Sequence, residues 1–167
     1  MKRVLLALAF IGSAAAQEPV AAAVTLDGNR LVLPGAITFN TGAATLTPES
    51  DVAVSAAAAW LQSKSSITTA RVEGHSDSVG DASAAQSLTE ARAMAVAKAL
   101  VAKGVDCKRL VAVGFGGNKP VADNGTAEGK AQNRRVEIHN AAMRGIAIGG
   151  MPLDGGGQVA GDVCSGG

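Results

Sequence analysis

Apolar and polar positions follow two different periods along the chain, and each period predicts one type of element. Near the N-terminus, residues 24–26 and 30–33 alternate in character around the polar turn Asp27-Gly28-Asn29, a pattern typical of a β-hairpin. Later segments rich in β-branched or other apolar residues predict single strands. These strands are predicted at residues 36–39, 67–72, 110–115 and 135–139.

Two longer segments place apolar residues at helical spacing. The first helix is predicted at residues 48–63, because Thr47-Pro48-Glu49 supply a capping hydroxyl, a proline suited to the first helical position and an acidic residue in the first turn. The second helix spans about residues 84–103, and Gly104 is placed to end it. A short helix is predicted near residues 126–132.

The order of these elements predicts an α/β (α+β) sandwich. Helices alternate with strands after the hairpin, so we expect a mixed sheet of about four to six strands with the two main helices packed on one face. Residues 17–35 form an N-terminal spacer and the hairpin, and residues 36–140 form the main domain. Residues 141–167 are rich in glycine and lack periodicity, and they are predicted to be a flexible tail.

The first residues have the three parts of a secretory signal peptide. Lys2 and Arg3 are followed by an apolar run at residues 4–11 and by small residues at positions 14–16. The apolar run is shorter than the roughly 20 residues that cross a bilayer. We therefore expect cleavage after Ala16, removal of residues 1–16, no transmembrane segment in the mature chain, and export to the periplasm or cell envelope.

Charge excludes one class of partner. The full chain has 15 basic and 14 acidic residues, and loss of Lys2 and Arg3 leaves 13 basic and 14 acidic residues, a net charge of about −1. A general nucleic-acid binder needs a strong basic footprint, which this chain lacks. Nucleic acid is therefore not an expected partner.

The chain has two cysteines, Cys107 in the main domain and Cys164 in the predicted tail. In an oxidising compartment they could form a disulfide that joins the tail to the domain. The alternative is two unrelated thiols, because the sequence does not give the geometry that a disulfide needs.

One acidic and one basic residue are placed to share a ligand. Asp77 follows the strand predicted at residues 67–72, and Arg92 lies fifteen residues later on the next helix. A carboxylate accepts hydrogen bonds from an ammonium group, and a guanidinium can bind a carboxylate through two parallel bonds. Together they fit the zwitterionic end of an amino acid. The alternative is that Asp77 and Arg92 pair with each other as structural support.

The sequence offers no catalytic set. His75, Ser76 and Asp77 are residue types of a catalytic triad, but neighbours in sequence cannot adopt its geometry. Nor do His75 and His139 have companion ligands close in sequence, so we expect neither a metal site nor a cofactor. We therefore expect a binding protein and not an enzyme.

Three further motifs carry a resemblance to a known family. Gly74-His75-Ser76-Asp77-Ser78-Val79-Gly80, Leu88-Thr89-Glu90-Ala91-Arg92-Ala93 and the segment from Gly129 to Glu137 resemble successive motifs of the OmpA-like peptidoglycan-binding domain, which is also found in MotB-type stator proteins. Residues 39–46 resemble the opening strand and loop of that family. The resemblance covers about residues 37–138, with the motifs in the same order.

The resemblance implies a βαβαβ core and non-covalent binding of peptidoglycan through the diaminopimelate of its stem peptide. Asp77 would hold the ammonium group of diaminopimelate and Arg92 its carboxylate, while Arg134 would add charge from the closing strand. Backbone amides near Ser78 and Val79 would complete the pocket. The ligand-binding residues that the resemblance implies are Asp77, Arg92, Arg134, Ser76, Ser78, Val79 and Asn40.

The chain departs from the family pattern at three positions. Asn40 stands where the family often has Asp, Ala85 where it commonly has Asn, and Lys130 where it prefers Arg. Each change removes a charge, a hydrogen-bonding group or the planar guanidinium, so the resemblance implies weaker binding than is typical.

The family implies a protein that anchors itself or a partner to the cell wall, with association to the outer membrane through partners. One alternative is a component of a larger envelope complex that uses the domain as a scaffold. A peptidoglycan hydrolase is the less favoured alternative, because no nucleophile, acid/base pair or metal centre can be assembled.

Overall fold

The computed structural model describes residues 24–78 and 80–165. The predicted signal peptide at residues 1–16 and the predicted ligand contact at Val79 lie outside these residues. The elements are β1 (Thr25–Asp27), β2 (Arg30–Val32), α1 (Ser50–Ser63), β3 (Ile67–His75), α2 (Ala82–Ala102), β4 (Leu110–Gly114), α3 (Ala127–Asn133), β5 (Arg135–Met143), β6 (Ile146–Ala147) and β7 (Gln158–Val159).

The strands form one mixed sheet. Its order is β1-β2-β5-β3-β4-β7, and β6 pairs with β5 outside that path. The neighbours β3 and β4 are parallel, and helix α2 connects them, whereas the other pairs are antiparallel. A parallel pair needs a crossover connection, which α2 supplies here. The mixed sheet that the sequence predicted is therefore confirmed.

Helices α1 and α2 form the core with one face of the sheet. Alternate residues of each central strand point toward the helices, as the pleat requires. Fully buried side chains from both layers meet there, among them Leu61, Leu100, Val72 and Ile138. Full burial of each large aliphatic side chain contributes about 1.5–3 kcal/mol to stability.

Helix α2 has a defined signal at each end. The side chain of Asp81 accepts a hydrogen bond of 2.7 Å from the backbone amide of Ala84, which caps the first turn. At the other end Gly104 has a φ of 94°, a left-handed conformation that glycine adopts without strain, and the amide of Val105 donates to Leu100. The end predicted at Gly104 is therefore correct, while the helix begins two residues before the predicted start.

The strand predicted at residues 36–39 is absent from the described structure, where this segment forms only an isolated bridge between Phe39 and Leu46. A side chain takes the place of a neighbouring strand. The amide of Thr38 donates to Oγ of Ser50 at 2.8 Å, and the same hydroxyl donates to the carbonyl of Thr38 at 2.9 Å. The backbone groups of Thr38 are thus satisfied by the first residue of α1.

The prediction of an unstructured tail from residue 141 was wrong for the part that the structure describes. β5 continues to Met143, β6 pairs with it, and β7 adds to the sheet beside β4. A disulfide also joins Cys164 to Cys107. The glycine-rich composition permits close approach to the sheet, since a Cβ atom at Gly157 would lie 2.4 Å from the side chain of Val113.

Among the described residues, none of the helices combines the length and the apolar character needed to cross a membrane.

Candidate ligand-binding site

A cleft opens where the loop after β3, helix α2 and the end of α3 meet. Its volume is about 530 Å³. The segment from residue 37 to residue 42 forms the opposite wall. The lining residues are Ile37, Thr38, Phe39, Thr41, Gly42, Ser76, Leu88, Arg92 and Arg134.

Gly74 allows α2 to lie directly against the end of β3. A Cβ atom at this position would lie 2.1 Å from the backbone oxygen of Thr89, so no other residue fits without movement of the helix. Thr89 is itself fully buried, and its hydroxyl accepts a 3.0 Å hydrogen bond from the amide of Gly116. The amide of Ser76 donates to the carbonyl of Gly116 at 2.8 Å. The loop that carries Ser76 and Asp77 is therefore fixed relative to α2.

Arg92 enters the cleft from α2 and is held in one orientation. Its Nε donates to the carbonyl of Ala43 at 3.0 Å, and its guanidinium lies over the ring of Phe39, 5.0 Å from the centroid. Burial, followed by the positive charge of Arg134, lowers the pKa of the Arg92 guanidinium. Guanidinium groups remain ionised in proteins, so the cleft keeps this positive charge.

Arg134 and Asp77 form an ion pair beside the cleft. Nη1 of Arg134 lies 2.5 Å from Oδ2 of Asp77, whose side chain is 12 % exposed against 46 % for the arginine. The salt bridge that the structure shows for Asp77 is thus with Arg134, and not the pair with Arg92 that the alternative interpretation of the sequence expected. The acidic partner is nearly buried and fixed, whereas the arginine has room to move.

Asn133, which the sequence analysis did not identify, supports the neighbouring loops. It is completely buried, and its Oδ1 accepts hydrogen bonds from the amides of Val121 at 2.7 Å and Ala122 at 3.0 Å. Its Nδ2 donates to Oδ1 of Asn124 at 2.9 Å, and that oxygen also accepts from the amide of Ser78 at 3.3 Å. Asn133 therefore connects the segment before Arg134 to the loop that carries Asp77. Its place directly before Arg134 in the closing motif is the sequence signal for it.

The predicted site residues divide between two adjacent hollows. Ser76, Arg92 and Arg134 line the main cleft, while Asp77 and Ser78 line a neighbouring cavity of about 110 Å³. Asn40 is exposed in the opposite loop and lines neither hollow. Its carbonyl accepts a hydrogen bond from the amide of Ala43, which closes a turn. The apolar cleft wall from Phe39 and Leu88 was not predicted as part of the site, although Phe39 belongs to a motif that carried the resemblance.

The comparisons with known proteins identify the family of this chain. A model of the OmpA family matches residues 38–134, a range that contains both hollows' charged residues. This chain belongs to the OmpA family. The family predicted from the sequence motifs is therefore confirmed.

Two relatives show how far the similarity extends. The probable lipoprotein YiaD of Escherichia coli (strain K12) is 41 % identical over 117 residues, which cover 69 % of this chain and 53 % of that protein. This chain thus spans about half the length of that relative. The crystal structure of the peptidoglycan-associated lipoprotein from Burkholderia pseudomallei is 27 % identical, with a TM-score of 0.57 over 63 % of this chain and 88 % of that chain.

A third similarity concerns the fold alone. The C-terminal domain of MotB from Helicobacter pylori has a TM-score of 0.58 and is 23 % identical, over 64 % of this chain and 83 % of that chain. Both solved structures share the fold of this chain over about two thirds of its length. The predicted fold class is therefore confirmed by structural similarity as well as by the strand order.

Proposed function

We propose that this protein binds peptidoglycan without performing chemistry, through the free end of diaminopimelate in the stem peptide. The observation that carries the proposal is the convergence of Arg92 and Arg134 on one cleft, with the fixed carboxylate of Asp77 directly beside it. The name of the Burkholderia pseudomallei relative, a peptidoglycan-associated lipoprotein, supports the same ligand.

Each end of the amino-acid group has a partner of opposite charge. Nε of Arg92 is already bonded to Ala43, so the two terminal nitrogens of its guanidinium are the donors for a ligand carboxylate. The ligand ammonium would bind Asp77 in place of Arg134, whose half-exposed side chain can turn toward the cleft. Exchange of one cation for another leaves the nearly buried carboxylate paired throughout, which avoids the cost of an isolated buried charge.

Hydrolysis is a poor fit to the same residues. His75 would be the natural base for Ser76, yet its side chain is 1 % exposed and stacks on Phe115 with ring centroids 5.2 Å apart. A base in that position cannot reach a substrate in the cleft. The residues around the cleft therefore supply charge and hydrogen bonds, which suit binding.

The disulfide supports a periplasmic location. Disulfides persist in oxidising compartments, and the bond between Cys107 and Cys164 fits a chain exported by the signal peptide predicted at residues 1–16. We place the protein in the cell envelope, where it anchors itself or a protein partner to the wall and associates with the outer membrane through that partner.

Co-sedimentation with purified peptidoglycan tests the proposal. Wild-type protein should sediment with diaminopimelate-type peptidoglycan, and free diaminopimelate should release it. Arg92→Ala and Asp77→Ala should each remove most binding, because each leaves one ligand charge without its partner. Circular dichroism should show that both variants remain folded.

Lys108→Ala is the matched control. It removes one exposed positive charge in the turn that precedes β4, at the opposite end of the parallel β3–β4 pair from Ser76. Its binding should equal that of the wild type. If both cleft variants bind as well as Lys108→Ala does, the site is wrong; if folded wild-type protein does not sediment, the ligand is wrong.

A further inference from the structure

A second group of chemically active side chains lies on the sheet face opposite the helices. Glu73 and His75 alternate along β3, and Glu137 and His139 alternate along β5, so all four point to the same side. The antiparallel register places Glu73 directly opposite Glu137. The sequence analysis expected no metal site because the histidines lack companion ligands close in sequence, whereas the paired strands bring possible ligands from β3 and β5 together.

The four side chains face one another through one atom each. Nε2 of His75 lies 3.2 Å from Oε2 of Glu73 and 3.9 Å from Oε2 of Glu137. Nε2 of His139 lies 3.8 Å and 3.0 Å from the same two oxygens. The facing atoms of Glu73, His75 and Glu137 are all within 4.8 Å of one another.

We infer that Glu73, His75 and Glu137 bind a divalent transition-metal ion, with zinc as the best match, and that His139 supports this set from outside it. In a tetrahedral zinc site with bonds of about 2.1 Å, neighbouring ligand atoms are about 3.4 Å apart. The two separations from Nε2 of His75 to Oε2 of the carboxylates, 3.2 and 3.9 Å, lie close to that value. One imidazole and two carboxylates, with a fourth position open to water, are ligand types that zinc takes in proteins.

His75 gives independent support. Its side chain is 1 % exposed, and neither ring nitrogen forms a hydrogen bond within the part of the chain that the structure describes. The 3.2 Å contact of Nε2 with Glu73 is close but lacks hydrogen-bond geometry. A buried polar atom without a partner costs about 1–3 kcal/mol, and a bound cation would remove that cost.

The remaining atoms of the cluster are already occupied in the way that metal sites require. Oε1 of Glu73 accepts from Nε of Arg71 at 2.6 Å, and Oε1 of Glu137 accepts from Nε of Arg135 at 2.9 Å, so the Oε2 atom of each carboxylate faces the centre. Nε2 of His139 forms a 3.0 Å hydrogen bond with Oε2 of Glu137, and its Nδ1 faces Oδ1 of Asn29 at 3.4 Å, so His139 orients this carboxylate. Such outer contacts orient metal ligands.

Access and charge set the character of the site. The side chains of Glu137 and His139 are 15 % and 14 % exposed, so an ion can enter from the β5 side. Arg30, Arg71 and Arg135 add positive charge next to the carboxylates, which weakens the attraction for a divalent cation. We therefore expect exchangeable binding that a chelator reverses. This inference does not depend on the cleft or on peptidoglycan.

Zinc titration of the chelator-treated, untagged protein with its disulfide intact tests the inference. Calorimetry should show saturable binding of one zinc ion. The chain has only two histidines, so long-range nitrogen NMR reports both rings separately, and zinc should shift the Nε2 signal of His75 as a directly bound nitrogen. Saturable binding without this shift, or no saturable binding by the folded protein, would overturn the inference and leave an ion-pair network without metal.

Two variants locate the ligands. Glu137→Gln removes one ligand, and His139→Gln removes the side chain that orients this ligand; each should weaken zinc binding at least tenfold. Glu128→Gln, an exposed acid in the first turn of α3, should not change it. Equal affinity in all three variants would mean that zinc binds elsewhere on the surface, and the NMR measurement on wild-type protein decides the matter even if one variant does not fold.

Discussion

Removal of the disulfide between Cys107 and Cys164 should lower the free energy of unfolding by several kcal/mol. The bond joins residues separated by 57 positions. For a closed loop of that length, the chain-entropy relation gives about 4 kcal/mol at 25 °C. Domains of this size are stable by about 5–15 kcal/mol in total, so one bond accounts for a large part of the stability.

The effect should arise mainly in the unfolded chain. In the folded protein, the segment before Cys164 has other attachments: Val159 pairs with Val113 in the sheet, the amide of Ala160 donates to the carbonyl of Ala112 at 2.9 Å, and Val163 is buried. These contacts do not require the covalent bond. The Cys107→Ser/Cys164→Ser double variant should therefore keep the native fold while its unfolded state gains conformational freedom.

Urea unfolding followed by the fluorescence of Trp60, the single tryptophan, measures the change. We expect a loss of about 2–4 kcal/mol and a steeper dependence on urea, because the unlinked chain exposes more surface. Wild-type protein in reducing buffer is the control and should match the double variant. A loss below about 1 kcal/mol with an unchanged slope would refute the loop-closure argument.

Two further changes test the packing that fixes the cleft. Gly74→Ala should lower the free energy of unfolding by at least about 1–3 kcal/mol, because its Cβ would lie 2.1 Å from the backbone oxygen of Thr89. The control is Gly35→Ala, whose Cβ would lie 4.0 Å from its nearest neighbour, and it should change the free energy of unfolding little in the same urea assay. Asn133→Ala should lower the free energy of unfolding by at least about 2 kcal/mol, since it leaves two loop amides without an acceptor. Gln132→Ala, on the exposed side of α3, should not lower it. Equal thermal midpoints for these two variants would contradict the role assigned to Asn133.

The sequence predicted the elements whose signals are local. The hairpin around Gly28, the helix that ends at Gly104 and the short helix after Thr126 all have a turn or capping residue at the boundary, and all are present. The segment at residues 36–39 has the composition of a strand, but its backbone is bonded by Ser50, a residue far enough away that no local pattern reveals it. Composition cannot tell whether the backbone of such a segment is bonded by a neighbouring strand or by a side chain.

The prediction of a flexible C-terminal segment failed for a related reason. Glycine and small residues without periodicity are typical of flexible chain, but the same glycines permit backbone to lie close to a sheet. At Gly155 a Cβ atom would lie 2.7 Å from the guanidinium carbon of Arg71, and the backbone of this segment packs over the sheet face opposite the helices. Whether such a segment is flexible or packed depends on the surface that it contacts, and the residues of that surface are distant in sequence.

The charged residues of the cleft were predictable as a set, but not their pairing. Asp77 and Arg92 share one strand-loop-helix unit, so local connectivity places them at the same end of the domain. Arg134 comes from the other end of the domain, and the antiparallel pairing of β5 with β3 brings it to Asp77. The ion pair is therefore a consequence of strand register, which a motif does not contain.

Strand β3 explains why one short motif serves two sites. Its pleat sends Gly74 toward α2, where the absence of a side chain lets the helix approach and fixes the cleft. The same pleat sends Glu73 and His75 to the opposite face, where β5 supplies matching residues. A motif that looks like one functional unit along the chain is thus divided by the sheet into a packing contact, a charged loop and two of the three proposed metal ligands. The residues that Glu73 and His75 contact on this face lie on β5, so the metal-ligand set forms only when β3 and β5 are paired.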